Sequence, residues 1–210
     1  FEGKLTFEGR VRIDGTFRGE IWSDGMLVFG PSAKIDAKVE VGTLIVNGAE
    51  TSLQEVINMG CWSQIERFSV AGDDWSIHNI SDDGRQFDVF INDELGGTVV
   101  WHMNGMHNRL NALAAIAAAR HAGVPVKDAC LALAEFRGIK RRMEVLAEPG
   151  GITVYDDFAH HPTAIIETLK AANEVVGDGR VLAVLEPRSN TMRLGVHKQQ
   201  LMGSLQAADV

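Results

Sequence analysis

Apolar and polar residues alternate along the first 50 residues, with glycines between the short runs. The apolar positions are Phe7, Val11, Ile13, Phe17 and Ile21, and Gly9, Gly15 and Gly19 lie among them. A period of two residues is typical of β-strands, and glycine permits the tight turns that separate them. We therefore expect short strands and no helix in this part of the chain.

The strand pattern also repeats. Leu27-Val28-Phe29 is matched 17 residues later, from position 27 to position 44, by Leu44-Ile45-Val46. A repeat of this length predicts a β-solenoid, similar to a parallel β-helix, with about three coils stacked on one another. A plain antiparallel meander is the alternative fold. The side chains expected to point inward are Val11, Ile13, Val28 and Ile45.

Strands and helices are mixed from residue 51 to about residue 136. Alternation predicts antiparallel strands at Trp75–Ile80, Gln86–Ile91 and Thr98–Trp101. The turn signal between the last two runs from Asn92 to Gly97. Alanine-rich periodicity predicts a helix from Asn108 to Ala122, and a second helix follows from Val126 to Phe136.

Beyond the break at Pro149-Gly150-Gly151, strands and helices alternate. The predicted order is strand Ile152–Tyr155, helix Pro162–Val176, strand Val181–Leu185 and a helix near Lys198–Gln206. Such alternation predicts a parallel α/β sheet. The predicted fold class is therefore mixed, with an N-terminal β-solenoid followed by α/β segments.

An acidic composition limits the classes of partner. The 210 residues carry a formal net charge of −8, with a pI near 5.3 and no run of lysines or arginines, so we expect no nucleic-acid partner. No stretch reaches the roughly 18 apolar residues that span a bilayer, and no signal-peptide pattern occurs at the N-terminus. We expect a cytoplasmic protein with two reduced thiols, Cys61 and Cys130. The start at Phe1 and the end at Val210 indicate a fragment of a longer chain.

A polar segment opens the alanine-rich helix. It reads Gly105-Met106-His107-Asn108-Arg109-Leu110-Asn111, and it places the carboxamides of Asn108 and Asn111 three residues apart on one helix face. A carboxamide offers both a donor and an acceptor, which the edge of an adenine ring requires. Helix capping is the alternative role for these side chains.

A cluster of cations follows the second helix. The segment reads Phe136-Arg137-Gly138-Ile139-Lys140-Arg141-Arg142-Met143-Glu144. Its spacing alone favours a solvated basic loop.

Acidic residues and histidines meet between a predicted strand and a predicted helix. The segment reads Asp156-Asp157-Phe158-Ala159-His160-His161-Pro162. Ligands of open α/β sheets bind outside the carboxyl ends of strands, and Pro162 at the first helical position leaves the free amides of the helix facing an anion. Two aspartates and two histidines also suit a metal ion, so a metallohydrolase is the rival interpretation.

A further loop follows the next predicted strand and reads Glu186-Pro187-Arg188-Ser189-Asn190-Thr191-Met192. One arginine and three small polar side chains suit a substrate that bears a carboxylate. The substrate-binding candidates are Arg188, Ser189, Asn190 and Thr191.

The N-terminal run resembles bactofilins, the polymer-forming bacterial cytoskeletal proteins. The similar residues are Phe7-Glu8-Gly9-Arg10-Val11-Arg12-Ile13-Asp14-Gly15, Gly19-Glu20-Ile21 and Leu27-Val28-Phe29-Gly30. The resemblance covers residues 1–48 and implies a right-handed parallel β-helix that self-assembles end to end.

The polar segments after residue 52 together resemble the Mur family of ATP-dependent peptide ligases. The Gly105 segment is similar to the end of the central ATPase domain, and the Phe136 segment to the interdomain hinge. The Asp156 segment is similar to the loop that closes over ATP. The resemblance implies three parts: residues 52–136 from the central domain, 137–150 as the hinge and 151–210 as the first half of the C-terminal α/β domain.

The resemblance also implies an activity. Members most similar to the Glu186 segment join UDP-N-acetylmuramate to the murein tripeptide L-alanyl-γ-D-glutamyl-meso-diaminopimelate in peptidoglycan recycling, with ATP and Mg²⁺. Arg142 maps to an arginine that reaches the nucleotide phosphates, a role that suits a bidentate guanidinium. The implied cofactor-binding residues are His107, Asn108, Asn111 and Arg142, and the implied catalytic residues are Asp157, His160 and His161. No resident metal ligand is assigned.

The chain departs from this family in its phosphate-binding segment. It has no Gly-x-x-Gly-Lys-Ser/Thr segment to cradle the β and γ phosphates, so we expect the 210 residues alone to be inactive. Two hypotheses follow: a ligase segment fused to a bactofilin-like segment, or a bactofilin-like cytoskeletal scaffold that carries an inactive ligase fragment. The junction near residues 48–52 has no Pro/Ser linker, which is typical of either a natural fusion or an artificially joined chain.

Overall fold

The computed structural model describes residues 1–13, 15–29, 34–61, 63–187, 192 and 194–209. Its strands are β1 (Glu2–Thr6), β2 (Arg10–Ile13), β3 (Thr16–Trp22), β4 (Met26–Phe29), β5 (Lys34–Glu40), β6 (Thr43–Asn47), β7 (Gln64–Phe68), β8 (Trp75–His78), β9 (Gln86–Ile91), β10 (Glu94–Val100), β11 (Glu144–Ala147) and β12 (Val154–Asp156). Its helices are α1 (Thr51–Asn58), α2 (Met106–His121), α3 (Val126–Leu133), α4 (Pro162–Val176) and α5 (Lys198–Ser204), with a short 3₁₀ turn at Pro149–Gly151.

The chain divides into two compact units. Unit 1 comprises Phe1–Ile80, Phe87–Val100 and Leu110–Leu133. Unit 2 comprises Ser81–Gln86, Trp101–Arg109 and Ala134–Val210. Among the described residues, no helix is long and apolar enough to cross a membrane. Cys61 and Cys130 are both free thiols.

Two sheets organise the strands of unit 1. The first is a three-stranded parallel sheet in the order β1-β3-β5, in which Phe17 pairs with Ile35. The second has seven strands in the order β10-β9-β8-β7-β6-β4-β2. Strands β2, β4, β6, β7 and β8 pair in parallel, whereas β8 and β9 are antiparallel. The larger sheet is therefore mixed.

The expectation of a separate N-terminal β-solenoid is wrong. Strand β6 pairs in parallel with β7 over five residue pairs, from Thr43↔Gln64 to Asn47↔Phe68. Strands from the first 50 residues therefore form one edge of the same mixed sheet that continues through β10. Sequence periodicity could not show this, because the backbone hydrogen-bonding groups of β6 pair with a strand from beyond the junction and not with another coil.

The repeat of 17 residues nevertheless gave the strand register. Leu27 lies opposite Leu44, and Val28 lies opposite Ile45, on the paired strands β4 and β6. Leu27 and Leu44 point into the core of unit 1, where Val11 and Ile13 also pack. The residues buried in this core are Phe17, Ile21, Leu27, Phe29, Ile35, Val41, Leu44, Val46 and Leu53.

Two of the four predicted inward residues lie on the other face of the sheet. Val28 and Ile45 alternate with the core residues Leu27 and Leu44, so they point away from that core. Ile45 is nevertheless fully buried, and it shares its face with Glu66, which contacts His121 of α2. Helix α2 thus covers this face, and apolar residues on both sides of β6 hid the direction of the core.

The β9–β10 hairpin is tighter than its sequence suggests. Asn92 and Asp93 both have positive φ angles, 49° and 67°, which is the conformation of a two-residue type I′ turn. The predicted turn through Gly97 is therefore too long, because β10 begins at Glu94. A Cβ on Gly97 would lie 2.9 Å from the Cys130 Sγ of α3, so this glycine permits the close packing of α3 on the strand.

Among its described residues, unit 2 includes a two-stranded sheet, the start of α2 and the helices α4 and α5. Strands β11 and β12 are antiparallel, and α4 packs through Ile165 and Leu169 against residues of the 181–185 segment. His161 is the N-cap of α4, its side chain accepts a hydrogen bond from the Thr163 N–H (3.3 Å), and Pro162 follows at the first helical position.

The predicted parallel sheet of residues 151–210 is wrong for the part of the chain that the structure describes. Its β12 pairs only with β11, in antiparallel fashion, and residues 181–185 form no strand. Their alternation reflects packing instead: Val181, Ala183 and Leu185 contact the α4 core, while Leu182 and Val184 are exposed. The Val181 N–H donates to the Asp209 carboxylate, and the Val181 carbonyl accepts from the Asp209 N–H. These two bonds take the place of pairing with a neighbouring strand.

Candidate functional site: the start of helix α2 and the loop before helix α4

The start of α2 is a turn that only glycine fits easily. Gly105 has φ +92°, and a Cβ there would lie 2.7 Å from the Cβ of Ala171 in α4. The Asn108 side chain donates its Nδ2–H to the carbonyl of Asn104 (2.7 Å). The predicted adenine-binding amide therefore also caps its own loop, and the adenine and capping interpretations are compatible here.

His107, in the first turn of α2, has a shifted pKa. Burial lowers its pKa; the nearby Glu167 and Asp157 carboxylates raise it, Arg142 lowers it and Glu174 raises it. His107, Arg142 and Asp157 are thus close enough for their charges to interact. Three buried side-chain atoms of this turn have no hydrogen-bond partner among the described residues, namely His107 Nδ1, Asn104 Oδ1 and Arg109 Nε. Such atoms are suited to a polar ligand or to water.

An ion pair between the buried Arg109 and the exposed Glu174 holds the same turn, and sequence patterns gave no sign of it. The Arg109 guanidinium donates to the Glu174 carboxylate from both Nη atoms (3.1–3.3 Å). Arg109 also donates to the Gly84 carbonyl (3.1 Å), and the Gly105 N–H donates to Glu174 (3.1 Å). Because the two residues are 65 positions apart, only the folded unit reveals them as partners.

The cationic segment before β11 has an unusual backbone. Arg141 and Met143 both have positive φ angles, 59° and 51°. The Arg141 carbonyl accepts from the Phe158 N–H (2.8 Å), and its guanidinium lies 3.3 Å from Asp156 and 4.8 Å from the Phe158 ring. Arg142, between the two left-handed residues, is exposed. Its surroundings suit contact with an anion in solution.

Asp157 connects this segment to the loop before α4. One carboxylate oxygen accepts from the Met143 N–H (2.9 Å), and the other accepts from the Ala159 N–H (2.7 Å) and the Thr168 hydroxyl (3.3 Å). Three protein donors therefore satisfy the carboxylate. This arrangement supports a positioning role for Asp157 over direct chemistry.

The two loop histidines have local partners. His160 is exposed, its Nδ1 lies 2.9 Å from the Phe158 carbonyl, and its ring packs on the Phe158 ring. The His161 ring makes an edge contact with the His197 ring at 4.5 Å. Within the described residues, no group of three His, Cys, Asp or Glu side chains is arranged to hold a metal ion.

The structure brings some of the predicted site residues together. His107, Asn108, Arg142, Asp157, His160 and His161 all belong to unit 2, whereas Asn111, one turn further along α2, belongs to unit 1. Arg188, Ser189, Asn190 and Thr191 lie outside the described residues. The full set of site residues therefore stays a prediction.

Two family models match the chain. The Mur ligase, glutamate ligase domain matches residues 141–209, and the polymer-forming cytoskeletal bactofilin family matches residues 1–59. These matches confirm both resemblances. The class that the later part of the chain resembles is thus the Mur ligases.

Among Mur ligases, the similar proteins include murein peptide ligases. The chain is 49% identical over 169 residues to the UDP-N-acetylmuramate–L-alanyl-gamma-D-glutamyl-meso-2,6-diaminoheptandioate ligase of Haemophilus influenzae. It is 46% identical to the protein of the same name from Escherichia coli. Each match covers 80% of this chain and 37% of the relative. The chain therefore spans just over a third of these curated relatives.

A solved structure gives the same result. The crystal structure of a murein peptide ligase from Psychrobacter arcticus has a TM-score of 0.59 and 47% identity to this chain. The match covers 80% of this chain and 36% of that one. The likeness is to a mixed α/β fold, which again replaces the expected β-solenoid.

Proposed function

We propose that residues 52–210 are a segment of an ATP-dependent ligase that joins UDP-N-acetylmuramate to the tripeptide L-alanyl-γ-D-glutamyl-meso-diaminopimelate in peptidoglycan recycling. The observation that carries the proposal is the 49% identity over 169 residues to the ligase of that specificity. A cytoplasmic location follows from this assignment, because its nucleotide substrates are cytoplasmic.

The start of α2 is the proposed place for adenine, and Arg142 for the phosphates. The partnerless buried atoms Asn104 Oδ1 and His107 Nδ1 fit the edge of a purine ring. The lowered pKa of His107 keeps its imidazole neutral near pH 7, so it can accept or donate one hydrogen bond. Arg142 supplies the permanent positive charge that a phosphate requires.

In the proposed reaction, the γ-phosphoryl group of ATP passes to the muramyl carboxylate and ADP is released. The amine of the tripeptide then attacks the acyl phosphate, which forms the amide bond and releases inorganic phosphate and a proton. Bound Mg²⁺ would supply neutralisation of charge on the phosphoryl group, and no residue of this chain is assigned as its ligand. Asp157 orders the loop of His160 and His161 over this site, while Arg188, Ser189, Asn190 and Thr191 are proposed to hold the peptide carboxylates.

Nucleotide binding is tested by titrating the chain with ADP and following the imidazole signals of His107 by NMR. We expect chemical-shift changes that saturate with ADP. The affinity for ADP should fall about 10-fold in Arg142→Ala, because a phosphate contact to a guanidinium contributes about 1.4 kcal/mol or more. Arg137→Ala is the matched control, since it removes an exposed arginine from the same segment. No shift at millimolar ADP contradicts the proposal.

The 210 residues alone are proposed not to ligate, because they hold no phosphate-cradling glycine loop. Phosphate release from ATP is measured with both substrates and Mg²⁺ present. Tripeptide-dependent release above background contradicts this part of the proposal.

A second candidate function is a bactofilin-like cytoskeletal scaffold that carries an inactive ligase fragment. The match of residues 1–59 to the bactofilin family favours it, and β1 and β2 each lie at the edge of a sheet. Edge strands offer backbone groups for pairing with a second copy. Sedimentation velocity over a range of concentrations tests this: growing assemblies support a scaffold, and a constant monomer up to about 100 µM contradicts it.

A further inference from the structure

Glu174 is not part of any motif that the sequence singles out. In the structure, however, it contacts the turn that carries the proposed adenine residues. Its carboxylate accepts a hydrogen bond from the N–H of Gly105 (3.1 Å), one residue before α2 begins. It also accepts hydrogen bonds from both Nη atoms of Arg109. His107 and Asn108 lie between these two attachment points. The carboxylate is therefore hydrogen-bonded to both ends of a five-residue segment, 105 to 109.

The pairing of Glu174 with Arg109 fixes the position of the segment because the Arg109 side chain is buried. Arg109 is only 3% exposed, and its remaining donor contact is to the Gly84 carbonyl. A two-pronged guanidinium–carboxylate pair fixes direction as well as distance. Ala171, one turn before Glu174 in α4, is fully buried, and a Cβ on Gly105 would meet its side chain. Backbone turn and α4 surface are thus fitted to each other.

We propose that Glu174 is a positioning residue for the adenine site: it holds residues 105–109 against α4 so that His107 and Asn108 have one fixed arrangement before nucleotide binds. This inference rests on the proposed function for its ligand. A site ordered in advance binds more tightly because less conformational freedom is lost on binding. Substitution of Glu174 should therefore weaken binding without touching the ligand.

The matched pair of variants is Glu174→Ala and Glu167→Ala. Both remove one carboxylate from α4, and both carboxylates raise the pKa of His107. Glu167 pairs with Lys170 on the helix surface (2.8 Å), and no hydrogen bond joins it to the 105–109 segment among the described contacts. Alanine favours helix at either position. Circular dichroism checks that each variant is folded.

The pKa of His107, measured by NMR without ligand, separates charge from positioning. Loss of a nearby negative charge lowers the pKa, so charge alone predicts a fall in both variants. Release of the segment relieves burial, which is the largest cause of the lowered pKa. We therefore expect the pKa of His107 to rise in Glu174→Ala and to fall in Glu167→Ala. The Asp157 and Arg142 charges that also face His107 are unchanged in both.

Hydrogen exchange and ADP titration complete the test. We expect the Gly105 and Asn108 amides to exchange at least about 10-fold faster in Glu174→Ala only. ADP affinity should fall about 10-fold in Glu174→Ala and less than about 2-fold in Glu167→Ala. A His107 pKa that falls equally in both variants, with amide protection retained, overturns the positioning role.

The two proposals fail in different ways. If the unaltered chain does not bind ADP, the proposed nucleotide site fails, while the exchange and pKa results still decide the role of Glu174. If Glu174→Ala does not fold, Glu174→Gln replaces it, because the amide keeps the shape and loses the charge-assisted bonds. Unchanged exchange at Gly105 in that variant then overturns the inference.

Discussion

The Nε2 atom of His121, at the end of α2, lies 2.9 Å from Oε1 of Glu66 on strand β7. The other oxygen of Glu66 accepts the indole N–H of Trp75 (2.9 Å), and Arg120 lies 3.7 Å away. Glu66 is 9% exposed and Trp75 is fully buried. One carboxylate thus links two neighbouring strands to the end of the longest helix.

We expect Glu66→Gln to destabilise the protein by about 1–3 kcal/mol, because a buried carboxylate loses its charge-assisted bonds and leaves polar partners unsatisfied. Urea denaturation followed by circular dichroism measures the change. Glu20→Gln is the matched control: Glu20 also accepts an indole N–H, from Trp22 (3.1 Å), but it is exposed. Its effect should be below about 0.5 kcal/mol. Equal effects at both positions contradict the assigned importance of burial.

Asp157→Asn should loosen the segment that carries Arg142. An asparagine has one acceptor oxygen in place of two and no charge, so the bonds to the Met143 and Ala159 amides cannot both keep their strength. We expect these two amides to exchange about 10-fold faster. Asp156→Asn is the control, because the Asp156 carboxylate lies against the Arg141 side chain and, among the described residues, accepts from neither of these amides. Unchanged exchange at Met143 in Asp157→Asn argues against the clamp.

Cys130 should be unreactive in the folded protein. Burial raises its pKa from the ordinary value of 9.0 to about 11, so the thiolate is scarce at pH 8. A thiol reagent should label Cys61, which is partly exposed, at least about 100-fold faster. Both thiols should react at similar rates in urea. Rapid double labelling without denaturant is the contrary result.

The same shift makes stability depend on pH in a defined direction. The folded state holds the Cys130 proton more tightly than the unfolded state, so its contribution is complete below pH 9 and is lost as pH rises towards 11. Cys130→Ala should flatten this part of the stability profile. Cys61→Ala should leave it unchanged.

Local patterns predicted local structure well. The positions of α2 and α4 follow from alanine-rich periodicity and from Pro162 after a capping residue. The register of β4 against β6 follows from the repeat between Leu27 and Leu44. Each of these signals lies in residues close together along the chain, where spacing and backbone geometry are directly related.

Pairings between distant residues could not be predicted in this way. Nothing around Thr43 indicates that β6 will pair with β7, and nothing around Glu174 indicates that Arg109 is its partner. The apolar run at Val181 looks like a strand, but it packs one face on α4 and finds no ladder among the described residues. Side-chain alternation shows that a segment is half-buried, and it does not show what covers it.

The unbroken ladder from β6 to β7 bears on how this molecule comes apart. The match to the bactofilin family ends at residue 59, yet five residue pairs join β6, before that boundary, directly to β7, after it. Removal of the residues before this boundary would leave β7 without its partner β6, and its exposed backbone N–H and C=O groups could then pair with other chains. Ancestry and cooperativity therefore divide this polypeptide at different places: Trp22 and Trp75, from the two sides of the boundary, belong to one unit and should lose their native environments in a single melting event.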